Sequence, residues 1–314
     1  MKPIRIATRG SDLALAQARY VAARLEAELE ARTELVVVTT SGDRMQDVSL
    51  AEIGGKGLFI KEIEQALNEG RADLAVHSAK DLPAEIAPGL ELVAFPERAD
   101  PRDALVAQAP GQTLKDLPLG SCVGTGSIRR AALLRALRPD LEIVPLRGNV
   151  PTRLAKLESQ NLAAVILACA GLDRLGRAEV ISERISLDQM LPAVCQRTLA
   201  LETRAGDAAV EGVARLGSPE NTVAASAERA FLSRVGGDCT LPLAAHCESM
   251  GKGQIRVRAL LASPDGATVV RSERVGSAEE AAEIGAVLAD EILRAGGREL
   301  LQDLSSPGQG DNGS

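Results

Sequence analysis

Aromatic residues are almost missing from this sequence: they make up 1% of it, with no tryptophan, one tyrosine and three phenylalanines. That removes the stacking platforms on which single-stranded nucleic acids are held. An excess of positive charge is missing too. Lys and Arg number 36 against 43 Asp and Glu, a net charge of -7, so a broad phosphate-binding face is excluded. Any anion site must be a local concentration of cations within an acidic whole. Histidine is reduced to His77 and His246, with no HxxxH spacing, which argues against a histidine-built zinc site. The five cysteines, Cys122, Cys169, Cys195, Cys239 and Cys247, are odd in number and lack CxxC spacing. They are expected to be reduced thiols in a cytoplasmic protein. No apolar run approaches about 20 residues, and the opening MKPIRIATRGSD has no apolar signal core. Neither a membrane nor a nucleic acid is expected as a partner.

The 314 residues are long for one core and imply two or three domains. Over the first two thirds, short apolar runs alternate with amphipathic stretches. IRIAT, ELVVVTT, ADLAVHS and ELVAFPE read as strands, with a helix from about 13 to 31 capped by Ser11 or Asp12, and another over FIKEIEQALNEG. After a linker near 98–102 the pattern resumes: SCVGT, a helix from Ser127 to Leu137, EIVPLRG, a helix to Ser159, and AAVILACAG. Strands alternating with helices imply largely parallel sheets covered on both faces. PAVCQRTLALE reads as a second linker. The last third changes character: a helix from about 223 to 234, a two-stranded hairpin around Ser263-Pro264-Asp265-Gly266, a final helix from about 278 to 295, and a disordered tail, SSPGQGDNGS. The expected fold class is two α/β domains followed by a small α+β domain.

In open α/β sheets ligands collect at the C-terminal ends of strands, beside helix N-termini. Four such turns carry charged or hydroxyl residues: Arg9-Gly10-Ser11, Ser78-Ala79-Lys80-Asp81, Gly124 through Arg130, and Arg147 through Arg153. One arginine in a first helical turn is most often a solvated surface residue. Four basic turns at corresponding strand ends are harder to set aside, because each cation opposes the helix dipole at ~0.3–1 kcal/mol. A bound polyanion reverses that cost, so the ligand is expected to carry several carboxylates or phosphates. Ser41 through Gly57 is polar and glycine-rich, as in a lid carrying Lys56. Gly54-Gly55-Lys56-Gly57 is followed by Leu58 and fails the nucleotide-binding loop pattern. Asp81 could stabilise a developing cation in the cleft or simply pair with a nearby arginine. Cys239, between Gly236-Gly237-Asp238 and Pro242, is a candidate reactive thiol. Cys122, Cys169 and Cys195 read as packing residues, and His77 as a hydrogen-bonded interior residue.

Nine stretches in order, RIATRGSDLALAQ, GGKGLFIKEIE, RADLAVHSAKDLP, ERADPRDAL, VGTGSIRR, LRGNVPTRLAKL, VILACAGLDRLG, AERAFLSRVGGDC and LLASPDG, resemble the porphobilinogen deaminase family from Ile4 to about Leu301. The resemblance implies two periplasmic-binding-protein-like α/β domains joined by hinges, 1–97 with 197–216 and 101–191. It also implies a third α+β domain over 219–304, before the tail at 305–314. It implies a monomeric enzyme of tetrapyrrole biosynthesis that condenses four porphobilinogen molecules and releases ammonia each time. Its cofactor would be dipyrromethane, held as a thioether on Cys239. The catalytic aspartate falls on Asp81. The cofactor-binding positions fall on Lys80, Asp81, Ser127, Arg129, Arg130 and Gly171, and the substrate-binding ones on Arg9, Ser11, Arg147, Arg153 and Arg174. Lys56 would close over the cleft.

The sequence departs from the family where a hinge usually reads PAVGQGA. Here Cys195, Arg197 and Thr198 stand in place of two glycines and an alanine. If those glycines take positive φ, a side chain at either place costs roughly 1–3 kcal/mol or forces another backbone. Asp238 is inserted before Cys239, Ala79 replaces a more usual Met and Gly126 a more usual Ser. Two other readings stay open: a two-lobed binding protein for anionic ligands, and an inactive tetrapyrrole-binding relative.

Overall fold

The computed structural model describes residues 2–44, 60–96, 99–236 and 241–305, apart from the side chains at 43, 44, 209 and 305. Lys56, Cys239, most of the expected lid and the tail beyond Ser305 lie outside the described residues.

The first lobe opens with β1 (Ile4–Arg9) and α1 (Asp12–Leu29). Ser11 caps the helix: its Oγ accepts from the Ala14 N–H at 3.3 Å, and Asp12 adds an acid to the first turn. Then come β2 (Thr33–Val38), the short α2 (Ser41–Arg44), α3 (Lys61–Asn68), β3 (Leu74–Ser78) and β4 (Leu90–Ala94). The second lobe holds β5 (Asp103–Ala107), β6 (Cys122–Thr125), α4 (Ile128–Leu137), β7 (Glu142–Pro145), α5 (Val150–Ser159), β8 (Ala164–Ala168), α6 (Cys169–Arg174) and β9 (Glu183–Arg184). The chain then returns to the first lobe as β10 (Leu199–Arg204).

The two lobes share one plan, with strand orders β2-β1-β3-β10-β4 and β7-β6-β8-β5-β9. In each, four strands point the same way and one runs against them: β10 is antiparallel to both β3 and β4, and β5 to both β8 and β9, while the remaining pairs are parallel. The expectation of largely parallel sheets therefore holds for the direction of four strands of each five, with β10 and β5 the exceptions. Two stretches passed over as strands supply the difference. DALVA forms β5, buried along its whole length. The second half of the supposed linker PAVCQRTLALE forms β10, which lies between β3 and β4.

Apolar side chains fill both faces of the first sheet. Ile6, Leu74, Val76, Leu199 and Leu201 pack towards α1, while Ala7, Ala75 and Leu90 pack with Ile63, Ala66 and Leu67 of α3.

The α+β unit begins with α7 (Pro219–Val235), capped by Ser218 with Pro219 in the first turn. It continues with β11 (Leu243–Gly251), β12 (Gln254–Ala262), β13 (Val269–Ser277), α8 (Ala281–Ile292) and α9 (Arg298–Ser305). The expected two-stranded hairpin is thus a three-stranded antiparallel sheet, because LAAHCESMG pairs with β12 along nearly its full length. Phe231, Leu288 and Ile292 are fully buried between the sheet and its helices.

Residues Cys195 and Arg197 hold φ of 55° and 85° in the segment leading into β10. The backbone has kept the left-handed conformation there and carries the side chains in it. The Glu228 carboxylate of α7 accepts from the Cys195 N–H at 2.6 Å and from the Cys247 N–H of β11 at 2.9 Å. One buried acid therefore fastens this crossing segment to the third unit.

Candidate active site

Two adjoining cavities open at the C-terminal ends of the strands. One, of about 450 Å³, lies between α1 and α3 and is lined by Arg9, Ser11, His77, Ser78 and Asp81. The other, of about 520 Å³, shares Leu13, Gln17 and Ser78 with it and reaches Lys80, Arg130, Arg153, Gly171 and Arg174. Gln17 Nε2 donates to Ser78 Oγ at 2.8 Å and holds the shared wall.

Asp81 ends a single 3-10 turn after β3 and is exposed on the cleft, with no ion pair among the described residues. Beside it, Lys80 is half-buried. Loss of water pushes its ammonium down to about 8; Arg130 and Arg129 add to the fall, while Asp81 and Asp103 oppose it.

Arg153 is reached by a backbone device. Gly148, at φ 105°, turns its carbonyl to accept from Arg153 Nε at 2.8 Å. Burial, with Arg130 and Arg147 nearby, pushes the Arg153 guanidinium down to about 10. Neither Arg153 nor Arg147 pairs with an acid among the described residues. Burial also lowers Arg174, whose Nη2 donates to the Arg197 carbonyl at 2.6 Å. Gly126, beside this wall, admits no Cβ: one built there would meet the Leu146 carbonyl oxygen at 2.3 Å.

Arg129 and Arg130 sit differently from free carboxylate ligands. Both are 4% exposed and converge on Asp103, which is fully buried. Arg130 places Nε and Nη2 on Asp103 Oδ1 at 3.0 and 2.7 Å, and Arg129 pairs its Nη1 with Oδ2 at 2.8 Å. Burial alone would push the Asp103 carboxyl up, but the two arginines more than offset it and hold it well below the usual carboxylate range. Gln196 Nε2 adds a donor to Asp103 Oδ1 at 2.9 Å. Arg130 still lines the cleft, whereas Arg129 lines neither cavity and keeps a buried Nε without a partner.

Ser127 caps α4, its Oγ accepting from the Arg130 N–H at 3.4 Å. Neither Ser127 nor Arg147 lines either cavity. The structure thus brings together Arg9, Ser11, Lys80, Asp81, Arg130, Arg153, Gly171 and Arg174. Asp103, Gln17 and Gln196 were not singled out from the sequence. Asp103 lay within the quoted stretch ERADPRDAL, while the two glutamines carry no local signal.

The donor set suits a polyanion. The described wall carries Lys80, Arg130, Arg153, Arg174 and Arg197 against one exposed carboxylate, and burial with neighbouring cations holds Arg153 and Lys80 below their ordinary values although nearby acids oppose the fall. Dipyrromethane bears an acetate and a propionate on each ring, so the residues present fit it.

Residues 4–212 match the family described as porphobilinogen deaminase, dipyromethane cofactor binding domain, and residues 222–294 match porphobilinogen deaminase, C-terminal domain. The chain is 50% identical over 303 residues to the porphobilinogen deaminase of Syntrophus aciditrophicus (strain SB), covering 96% of this chain and 98% of that protein. It is 49% identical over 300 residues to that of Roseiflexus castenholzii (strain DSM 13941 / HLO8), covering 95% and 98%. Among solved structures, the periplasmic aliphatic sulphonate binding protein SsuA from Escherichia coli is 18% identical with a TM-score of 0.40, over 74% of this chain and 70% of that one. The chain belongs to the porphobilinogen deaminase family.

Proposed function

We propose that the chain joins four molecules of porphobilinogen head to tail into hydroxymethylbilane, releasing ammonia at each condensation, as a transferase of tetrapyrrole biosynthesis. The observation that carries this reading is the pairing of one exposed carboxylate, Asp81, with a wall of cations at the same strand ends. The binding-protein and inactive-relative readings are not favoured, since neither needs an acid facing this cleft.

Cys239 would hold dipyrromethane, with Lys80 and Arg130 taking its carboxylates and Gly171 leaving room beside them. When bound, that group supplies the primer to which the substrate rings are added. Arg9, Ser11, Arg153 and Arg174 would take the acetate and propionate of the incoming substrate, where each charge-assisted pair gains from the low water content. Ser127, Arg129 and Arg147 line neither cavity, and Arg129 is spent on Asp103 and the Leu191 carbonyl, so their assignment to ligand contacts rests on family resemblance alone. Asp81 stabilises the cation left on the substrate as its amine departs, and can return a proton at the same atoms. Lys56 is assigned to closing the cleft on family resemblance alone.

We read three domains, 1–97 with 197–216, 101–191 and 219–304. In support, each of the three sheets draws all its strands from one of these spans. The same reading has a cytoplasmic monomer without nucleic-acid or membrane partners. No helix among the described residues is long and apolar enough to cross a membrane.

The test is an assay of porphobilinogen with purified protein, following substrate loss, ammonia and linear tetrapyrrole together. Four substrates consumed and four ammonias released per product support the reading. Binding without ammonia release would leave a ligand-binding protein.

A further inference from the structure

His77 lines the same cavity as Asp81, yet only one of its ring nitrogens is spent within the protein. Its Nε2 meets Glu202 Oε2 at 2.8 Å. Nδ1 has no hydrogen-bond partner among the described residues. The two residues lie on adjacent antiparallel strands, where Ala75 stands opposite Glu202 and Ala200 opposite His77. They therefore share the face of the sheet that α3 covers.

Glu202 is fully buried, and its second oxygen, Oε1, has no partner. A buried carboxyl needs polar partners, and here they are His77 and, in electrostatic reach, Arg229 of α7. Glu64 of α3 adds a second acid within electrostatic reach of the pair. Its carboxyl is pushed up by burial and by Glu202, with His77 pulling the other way. The charged groups around the pair are thus Glu202 from β10, Glu64 from α3, Arg229 from α7, which is in electrostatic reach of Glu202, and Arg9 and Asp81 along the cavity rim. A packing role would account for the Nε2 bond but leave the unspent Nδ1, which faces a cavity, without a use.

We propose that His77, oriented by Glu202, is a proton acceptor in the condensation and that its Nδ1 faces the reacting ring. This rests on the function proposed above. Forming the new carbon–carbon bond puts the aminomethyl carbon of one porphobilinogen on the unsubstituted α-carbon of the pyrrole it joins. The amine leaves as ammonia, and the α-carbon must shed its proton for the ring to regain aromaticity. The C–H electron pair returns to the ring and the proton passes to Nδ1. The Glu202 carboxylate stabilises the resulting imidazolium. The proton then leaves to water or with the ammonia, so that acceptor C–H and donor C–NH2 become C–C and NH3. Asp81 serves the departing amine, and His77 serves the ring.

The experiment uses full-length holoenzyme and porphobilinogen carrying deuterium at the unsubstituted α-carbon, with the isotope effect read on the second condensation, where the labelled ring added first is the one attacked and loses its deuteron. For His77→Gln, whose amide can still meet Glu202 but is no base, single-turnover condensation should slow about 100-fold, the usual worth of a placed proton acceptor. A primary isotope effect should then appear or grow, because loss of the α-proton becomes limiting. Asp81→Ala should slow the reaction without that growth. Intact mass checks that each variant carries its covalent group, and thermal unfolding checks that it is folded. Should His77→Gln not fold, Glu202→Gln keeps the shape and removes the charge. Its acid-side limb in the pH profile of the condensation rate should move to lower pH. Wild-type rates with an unchanged isotope effect in His77→Gln, or an unmoved limb in Glu202→Gln, would overturn the proposal. A wild-type protein that binds substrate but forms no bond would instead overturn the function on which it rests.

Discussion

Arg174 donates its Nη2 to the carbonyl of Arg197 at 2.6 Å, so a cleft arginine is held by a residue whose own backbone stands at φ 85°. That carbonyl would be there with glycine as well. The Arg197 side chain lines the second cavity and makes a long contact from Nη2 to the Cys247 carbonyl at 3.5 Å. Left-handed backbone under a side chain costs about 1–3 kcal/mol, and glycine gives back roughly 0.5–1 in unfolded-chain entropy. Arg197→Gly should therefore leave stability unchanged or raise it by about 1 kcal/mol, read as a Tm equal to or a few degrees above the wild type. A fall of several degrees would show that the arginine side chain stabilises the crossing segment.

The Arg129–Asp103–Arg130 cluster makes a different forecast. Removing one partner of a buried ion pair typically costs 3–5 kcal/mol, because the charge left behind is unpaired. Arg130→Leu and Asp103→Asn should both lower the urea midpoint strongly, and Arg130→Leu should also weaken substrate binding. The pH dependence follows from the depressed Asp103. Its contribution is complete above the unfolded aspartate value of about 3.8 and is lost as pH falls towards its folded value. Wild type should lose stability on acidification more steeply than Asp103→Asn. Equal acid slopes would count against the cluster as a source of stability.

Lys80 sets an alkaline limit. Its folded value of about 8 lies below its ordinary one of 10.5, so between them the folded protein holds fewer protons than the unfolded chain. This group's cost to folding is present below about 8 and is relieved as pH rises towards 10.5. Carboxylate binding should move the other way and weaken above about 8 as the ammonium is lost. In Lys80→Arg that alkaline rise in KM should disappear, since guanidinium stays charged. A KM that rises equally in both would remove Lys80 from carboxylate binding.

Asp81→Ala should keep its fold, because Asp81 is exposed and unpaired, and lose most ammonia release. Arg153→Leu should raise KM with a smaller effect on kcat. Near-normal release in the first, or an unchanged KM in the second, would contradict the roles proposed for them.

Much of this was legible beforehand because it is local. Ser11 and Ser127 announce helix starts and cap through their side chains, while Asn149, not singled out beforehand, caps α5 in the same way. The arginine turns likewise stand at strand ends in the sequence. The positive φ at Cys195 and Arg197 was anticipated from the glycines of the family pattern. What escaped depends on contacts distant in sequence. LALETR becomes a central strand only because β3 and β4 leave a gap for it. Arg129 and Arg130 could be read as exposed ligands until Asp103, 26 and 27 residues earlier, was found between them. His77 was expected to be a hydrogen-bonded interior residue and is one, but its partner Glu202 lies 125 residues away.

The most direct test is the intact mass of the denatured protein, for wild type and Cys239→Ser. A wild-type excess equal to two linked pyrrole units, absent from the variant, is the result the account requires. Wild-type protein at its bare sequence mass, even after incubation with porphobilinogen, would contradict it.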